Sequence, residues 1–156
     1  MILQSEIQPI KNVIAMNVLT PNSALPPIAS RIDPIAIHDL RRFPQGVGSS
    51  QIAKWDQIGS SINDFQQLMD DYDGAGSLAP TSDSIQSARE WSNTLRDQGI
   101  AAPVAVVCGV NGTITFEWDD GKRSILLDVV SSIRAEGFSC LRSESKADRF
   151  ELNRLL

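Results

Sequence analysis

Apolar residues recur along the middle of the chain with two different periods. From Gln51 to Tyr72 they fall at Trp55, Ile58, Ile62, Phe65, Met69 and Tyr72, alternately three and four residues apart. That spacing lays one stripe along an amphipathic helix. The pattern predicts a helix over the whole stretch, weakened at Gly59 by about 1 kcal/mol relative to alanine. It should stop near Asp73, because Gly74 and Gly76 follow and accept left-handed backbone. Pro80 keeps Ala79 extended. A second helix is expected from Thr81–Asp83 onward, where Asp83 with Gln86 three residues later is like a capping box. Ile85, Ala88, Trp91 and Leu95 form its inward stripe. Gly99 suits the position just past its end, with Ile100 as the apolar contact that follows.

After Pro103 the period drops from 3.6 to 2. Val104–Val110 and Thr113–Trp118 read as strands joined by a two-residue Asn111-Gly112 turn, in which both residues need positive φ. This turn sets Val107 opposite Phe116 and Ala105 opposite Trp118, on the face that also carries Ile114. A second turn at Asp120-Gly121 pairs Phe116 with Ile125 and Ile114 with Leu127, and sets Arg123 opposite Trp118 for a cation–π contact. One apolar face then continues across three strands to Val129. The other face carries Thr113, Thr115 and Glu117, and it is made less polar by Val106, Cys108, Val110, Leu126 and Val130. Phe138–Arg142 is a candidate fourth strand. Asp148–Leu155 is expected as a short terminal helix anchored by Phe150 and Leu155. The fold class is therefore α+β: two helices packed on one face of a three- to four-stranded antiparallel meander.

Residues 1–50 behave differently. They hold six of the eight prolines, each of which removes an N–H and restrains its predecessor. The stretch nevertheless carries Ile10, Val13, Ile14, Val18, Leu19, Ile28 and Ile35, a load that disordered linkers lack because they cannot bury it. We read 1–50 as an extended arm and 51–156 as the α+β domain. The arm either wraps over the body or docks on another chain, and those seven residues are the candidate partner contacts. A short helix is expected at Pro34–Arg42 with Asp33 as its cap, followed by a flexible joint at Gly46-Val47-Gly48-Ser49-Ser50.

Charge narrows the partner. The chain carries −5 in total, but the arm sums to +1 and the remainder to −6. An acidic body argues against nucleic-acid binding through phosphate neutralisation and favours solubility or a basic partner. No run of 18 apolar residues predicts a membrane span. Cys108 and Cys140, without CxxC spacing, predict free thiols in a reducing cytoplasm.

Several residues recur in a recognisable order: Tyr72-Asp73-Gly74-Ala75-Gly76, Pro80, Ala88, Pro103-Val104-Ala105-Val106, Asn111-Gly112 and Phe116-Glu117-Trp118. In this they resemble a widespread bacterial family of small proteins without assigned function. Its pattern runs (W/Y)-D-G-x-G-A, then proline, alanine, glycine and (L/F)-E-W. The resemblance covers about residues 55–130. Tyr72 stands where tryptophan is usual, and the small residues around Ala75 are ordered differently. The resemblance implies the fold and a prokaryotic origin, and it brings no catalytic residues.

The chemistry-bearing residues give two readings. Asp71, Asp73 and Gly74 form an acidic turn that, with Glu117, is the candidate ligand or metal site of a metal-assisted hydrolase. In the plainer reading Asp73 bonds the N–H groups of a Gly-rich turn. An EF-hand does not fit, since Gly74 at its sixth position would put Met69 first and Pro80 twelfth. His38 and Cys108 have no partner residues for a triad or zinc site. Trp55, Trp91 and Trp118 sit at core positions of the pattern. No phosphate-loop or dinucleotide motif occurs, so no cofactor is expected. The leading expectation is a non-enzymatic binding or accessory protein of the antitoxin, immunity, chaperone or defence-subunit kind, acting through its apolar arm and sheet. The alternatives are the hydrolase and an arm-swapped homo-oligomer.

Overall fold

A computed structural model describes residues 40–154 apart from Val47 and Ser145. Helix α1 spans Ser49–Asp64 and is followed by one 3-10 turn, Phe65–Gln67. Helix α2 spans Ser82–Asp97. Five strands follow: β1 Ala105–Cys108, β2 Ile114–Asp119, β3 Arg123–Val129, β4 Arg134–Leu141 and β5 Ala147–Asn153. They form one antiparallel sheet in chain order. The helices pack on each other and on the β1–β3 part of the sheet. This is the expected α+β meander, with five strands rather than three or four.

The helical stripes account for the core only in part. Trp55, Ile58, Ile62, Ile85, Ala88, Trp91 and Leu95 are all buried. Helix α1, however, ends eight residues before the predicted stop. Leu68 is extended and Met69 is 78% exposed. Continuing the helix would have placed Asp70, Asp71 and Asp73 against the negative end of its dipole; instead those side chains bond to the backbone of the following loop. Helix α2 is capped by Thr81, whose Oγ1 accepts the Ser84 N–H at 3.1 Å, so the cap lies two residues before Asp83. Its far end is a Schellman motif: Gly99 N–H reaches the Arg96 carbonyl and Ile100 N–H the Leu95 carbonyl, with Gly99 at φ 73°.

Both hairpin registers differ from expectation, with different consequences. In the first, Val106 pairs Phe116 and Cys108 pairs Ile114. Gly109 N–H bonds to the Thr113 carbonyl, so the loop is the three residues Val110-Asn111-Gly112, with Gly112 at φ 76°. A three-residue loop ending in a left-handed glycine uses the same Asn-Gly pair as a two-residue turn. The one-residue slip turns Val106 and Cys108 onto the core face and Val107 outward. In the second hairpin Phe116 pairs Leu127 and Trp118 pairs Ile125. Gly121-Lys122 is the two-residue turn, with Asp120 Oδ1 accepting the N–H groups of Lys122 and Arg123. That slip is two residues, so the apolar face is preserved. Arg123 pairs Leu141 rather than facing Trp118, which instead meets Phe43 edge-on with ring centroids 4.9 Å apart.

The terminal helix expected at Asp148–Leu155 is instead strand β5. Phe150 and Leu152 alternate inward and are buried, while Arg149, Glu151 and Asn153 point out. Phe150 lies across Gly137 of β4, where a Cβ would come within 2.1 Å of its ring.

Residues 40–46, expected as the end of the arm, are built into this unit. Leu40 and Phe43 are buried in the core. The Pro44 carbonyl accepts the Ala101 N–H, and Gly46 N–H donates to the Gly99 carbonyl. Gly46 is a close-packing glycine, since a Cβ there would lie 2.6 Å from the Ala101 Cα. Of the proposed arm contacts, Ile10, Val13, Ile14, Val18, Leu19, Ile28 and Ile35, together with His38 and most of the Pro34–Arg42 helix, lie outside the described residues.

Candidate functional site: the outer edge of β1

Strand β1 is an edge of the sheet, and its ladder to β2 decides which backbone groups are left over. Hydrogen-bonded and non-bonded pairs alternate along antiparallel strands. Because Gly109 bonds to Thr113, Val107 and Ala105 also turn their peptide groups toward β2. Val106 and Cys108 therefore present theirs to the outside.

The acidic loop covers the Cys108 end. Tyr72 Oη donates to the Cys108 carbonyl at 2.9 Å and lies 3.2 Å from that of Gly109. Leu78 N–H donates to the Val110 carbonyl at 2.8 Å. Gly112 is buried so tightly on the loop that a Cβ would meet the Ala79 carbonyl at 2.9 Å. The Tyr72 phenol is pushed above its usual range, first by the Cys108 side chain and then by desolvation.

The loop holds itself together through its carboxylates. Asp70 Oδ1 accepts the Ala79 N–H, Asp71 Oδ1 the Gly76 N–H and Asp73 Oδ1 the Ala75 N–H, all within 2.8–2.9 Å. Asp71 takes φ 64°, and Gly74 and Gly76 are left-handed as expected. The Asp73 carboxyl is held below the usual carboxylate range by the neighbouring Ser77 hydroxyl, although the Ser77 Oγ makes no well-formed hydrogen bond among the described residues, and then by the Ala75 N–H, which donates to Asp73 Oδ1 at 2.9 Å. Ser77 is 1% exposed. The expected ligand set is thus split. Asp71, Asp73 and Gly74 build the loop, while Glu117 lies on β2 between Ala105 and Leu126. Among the described residues, no group of three or more His, Cys, Asp or Glu side chains is placed to hold a metal ion.

The Val106 end of the edge is open. It faces a groove of about 470 Å³ between α1 and β1, lined by Lys54, Gln57, Ile58, Ser61, Pro103 and Val104 among others. Among the described residues no side chain bonds to the Val106 backbone. Val104, Val107 and Val110 flank this edge at 66%, 38% and 69% exposure, a local apolar density unusual on an edge strand. The sequence pattern does not single out this groove, because an Asn111-Gly112 two-residue turn places Val106 on the opposite face.

The outer sheet face is more polar than expected. Thr115 donates to Asp128 at 2.6 Å. Arg134 pairs with Glu136 and Glu151, Arg149 pairs with Glu136, and Arg149 lies over the Phe138 ring. Among the described strand residues, Val107 on β1 and Leu126 on β3, on either side of β2, are the exposed large apolar residues of this face.

The three tryptophans are structural. Each indole N–H donates to a backbone carbonyl: Trp55 to Ile100, Trp91 to Ser131 and Trp118 to Ala101, at 2.7–3.1 Å. Cys108 and Cys140 are free thiols. No described helix is long and apolar enough to cross a membrane. No family model, curated protein or solved structure matches the chain.

Proposed function

We propose that this protein is a non-enzymatic binding module that takes an extended segment of another protein chain along the outer edge of β1. The observation that carries the reading is the half-covered edge: Tyr72 occupies the Cys108 carbonyl, while Val106 faces an open groove beside α1. A strand added there gains main-chain hydrogen bonds at Val106. Its side chains fall alternately toward the Ile58 and Pro103 wall and toward solvent. The apolar arm, read from sequence, supplies a second contact to the same partner. The acidic body favours a protein partner over nucleic acid, and two free thiols fit a cytoplasmic setting. Membership of the bacterial family is proposed on the motif alone. Its quoted residues Tyr72, Gly74, Gly76, Pro80 and Gly112 belong to the loop and turn that close the edge, which suits a structural rather than catalytic role.

The test is affinity isolation from the native host with the full chain, Gln57→Trp, which fills the groove from the exposed side of α1, and a chain lacking residues 1–39. Loss of the same co-purifying chain with Gln57→Trp supports the edge as the docking site. An unchanged set removes that role.

A further inference from the structure

A second site lies where the start of the described chain meets the β2–β3 and β4–β5 ends of the sheet. Two clefts there, of about 310 and 170 Å³, share Arg41, Arg42 and Arg123 as walls. The larger also takes in Lys146, with Glu144 and Asp148 as its acidic members. Its lining is therefore net basic in a chain whose total charge is −5. The smaller is walled by Phe43, Pro44, Trp118 and Ile125, with Asp120 as its acid.

Of the acids lining the clefts, Asp120 is engaged, Asp148 meets Arg42 at the limit of an ion pair and Glu144 has no side-chain partner among the described residues, so the four cations outnumber the acids of the larger cleft by two. Asp120 accepts two backbone N–H groups of its own turn. Asp119, close by, pairs with Arg142. Asp148 is 4.0 Å from Arg42, which also lies over the Phe150 ring at 5.1 Å. Arg123 is held in place by one donor, Nη1 to the Arg42 carbonyl at 3.4 Å. A guanidinium has five donors in a fixed fork, so this bond orients Arg123 and leaves donors for a ligand. Arg41 is exposed on the same walls.

We propose that this double cleft binds a small organic phosphate, with the phosphate on Arg123 and Arg41 and a flat apolar group in the lobe beside Trp118 and Phe43. Paired arginines match phosphate oxygens geometrically as well as electrostatically. The adjoining lobe, in which Phe43, Trp118 and Ile125 show only 2–3% of their surface, offers the edges of these side chains and the Pro44 ring to such a group, a contact that a free inorganic anion cannot use. The site is independent of the β1 edge.

The experiment titrates the full chain with phenyl phosphate, inorganic phosphate and phenol at constant ionic strength, followed by side-chain NMR of the arginines and indole NMR of Trp118. Phenyl phosphate should saturate in the millimolar range or below, bind about tenfold more tightly than either fragment, and move both Arg123 and Trp118 signals. Arg41→Gln, an exposed substitution that leaves the core alone, should weaken it several-fold, and Arg123→Gln by about tenfold. Unsaturable binding, equal affinity for phenyl phosphate and inorganic phosphate, or indifference to Arg41→Gln in a folded variant would each overturn the proposal. So would tight binding of an acidic peptide that phenyl phosphate fails to displace.

Discussion

The Tyr72 hydroxyl donates to the Cys108 carbonyl across 36 residues of chain, at 2.9 Å. That bond ties the acidic loop to the sheet and covers the peptide group that β1 would otherwise expose. Tyr72→Phe removes the donor but keeps the ring. The expected cost is about 1 kcal/mol in urea unfolding, since a half-buried carbonyl loses its partner while water can still reach it. Amide exchange at Leu78, which bonds to Val110, should quicken in the same variant. Unchanged exchange there would mean that the loop is held by its carboxylates alone.

Two glycines predict opposite signs for the same substitution. Gly59 lies within α1 with nothing within 4 Å of a built Cβ, so Gly59→Ala should stabilise the protein by about 1 kcal/mol. Gly137 lies under Phe150, where a Cβ would meet ring atoms at 2.1–2.6 Å. Gly137→Ala must displace that ring or part β4 from β5, at about 1–3 kcal/mol. Thermal unfolding of the two variants side by side checks both signs.

The acidic turns set the pH response. Asp73 is held below its ordinary value of 3.8 by the Ser77 hydroxyl and then the Ala75 N–H, Asp119 by the Gly121 N–H and then Arg142, and Asp120 by the N–H groups of Arg123 and Lys122. A carboxylate depressed on folding contributes stability that is present above its unfolded pKa and lost as pH falls through the folded one. Urea midpoints should therefore hold steady from neutral pH to about 5 and then fall. Asp73→Asn should flatten that fall and leave the alkaline side unchanged. A variant as acid-sensitive as the parent would place the effect in the other turns.

The fold class was legible because its strongest signals do not depend on register. The Ile85, Ala88, Trp91, Leu95 stripe and the Gly99 stop describe α2 closely. The Asp120-Gly121 turn was misplaced by one residue, which slips the pairing by two and so keeps every side chain on its face. The loop at Asn111-Gly112 is one residue longer than expected, which slips the pairing by one, and nothing in Ala105-Val106-Val107-Cys108 could correct it. Four small apolar residues fit either face equally well. That single ambiguity hid the edge groove. Strand β5 carried a usable signal in the alternation of Phe150 and Leu152 with charged residues, outweighed by helix-compatible residues around it. The early end of α1 follows from hydrogen bonds between Asp70, Asp71 and a loop up to nine residues away, which periodicity does not register.

The central claim is that Val106 offers its peptide group to a partner strand. Proline fits an edge position whose N–H points away from the sheet, so Val106→Pro removes one outward donor while leaving the β1–β2 ladder in place. The decisive measurement is affinity isolation of the partner from the native host with wild type and Val106→Pro at matched thermal stability. The account predicts that the wild-type partner is lost or reduced about tenfold in the proline variant. Equal recovery of the same chain by both proteins would contradict it.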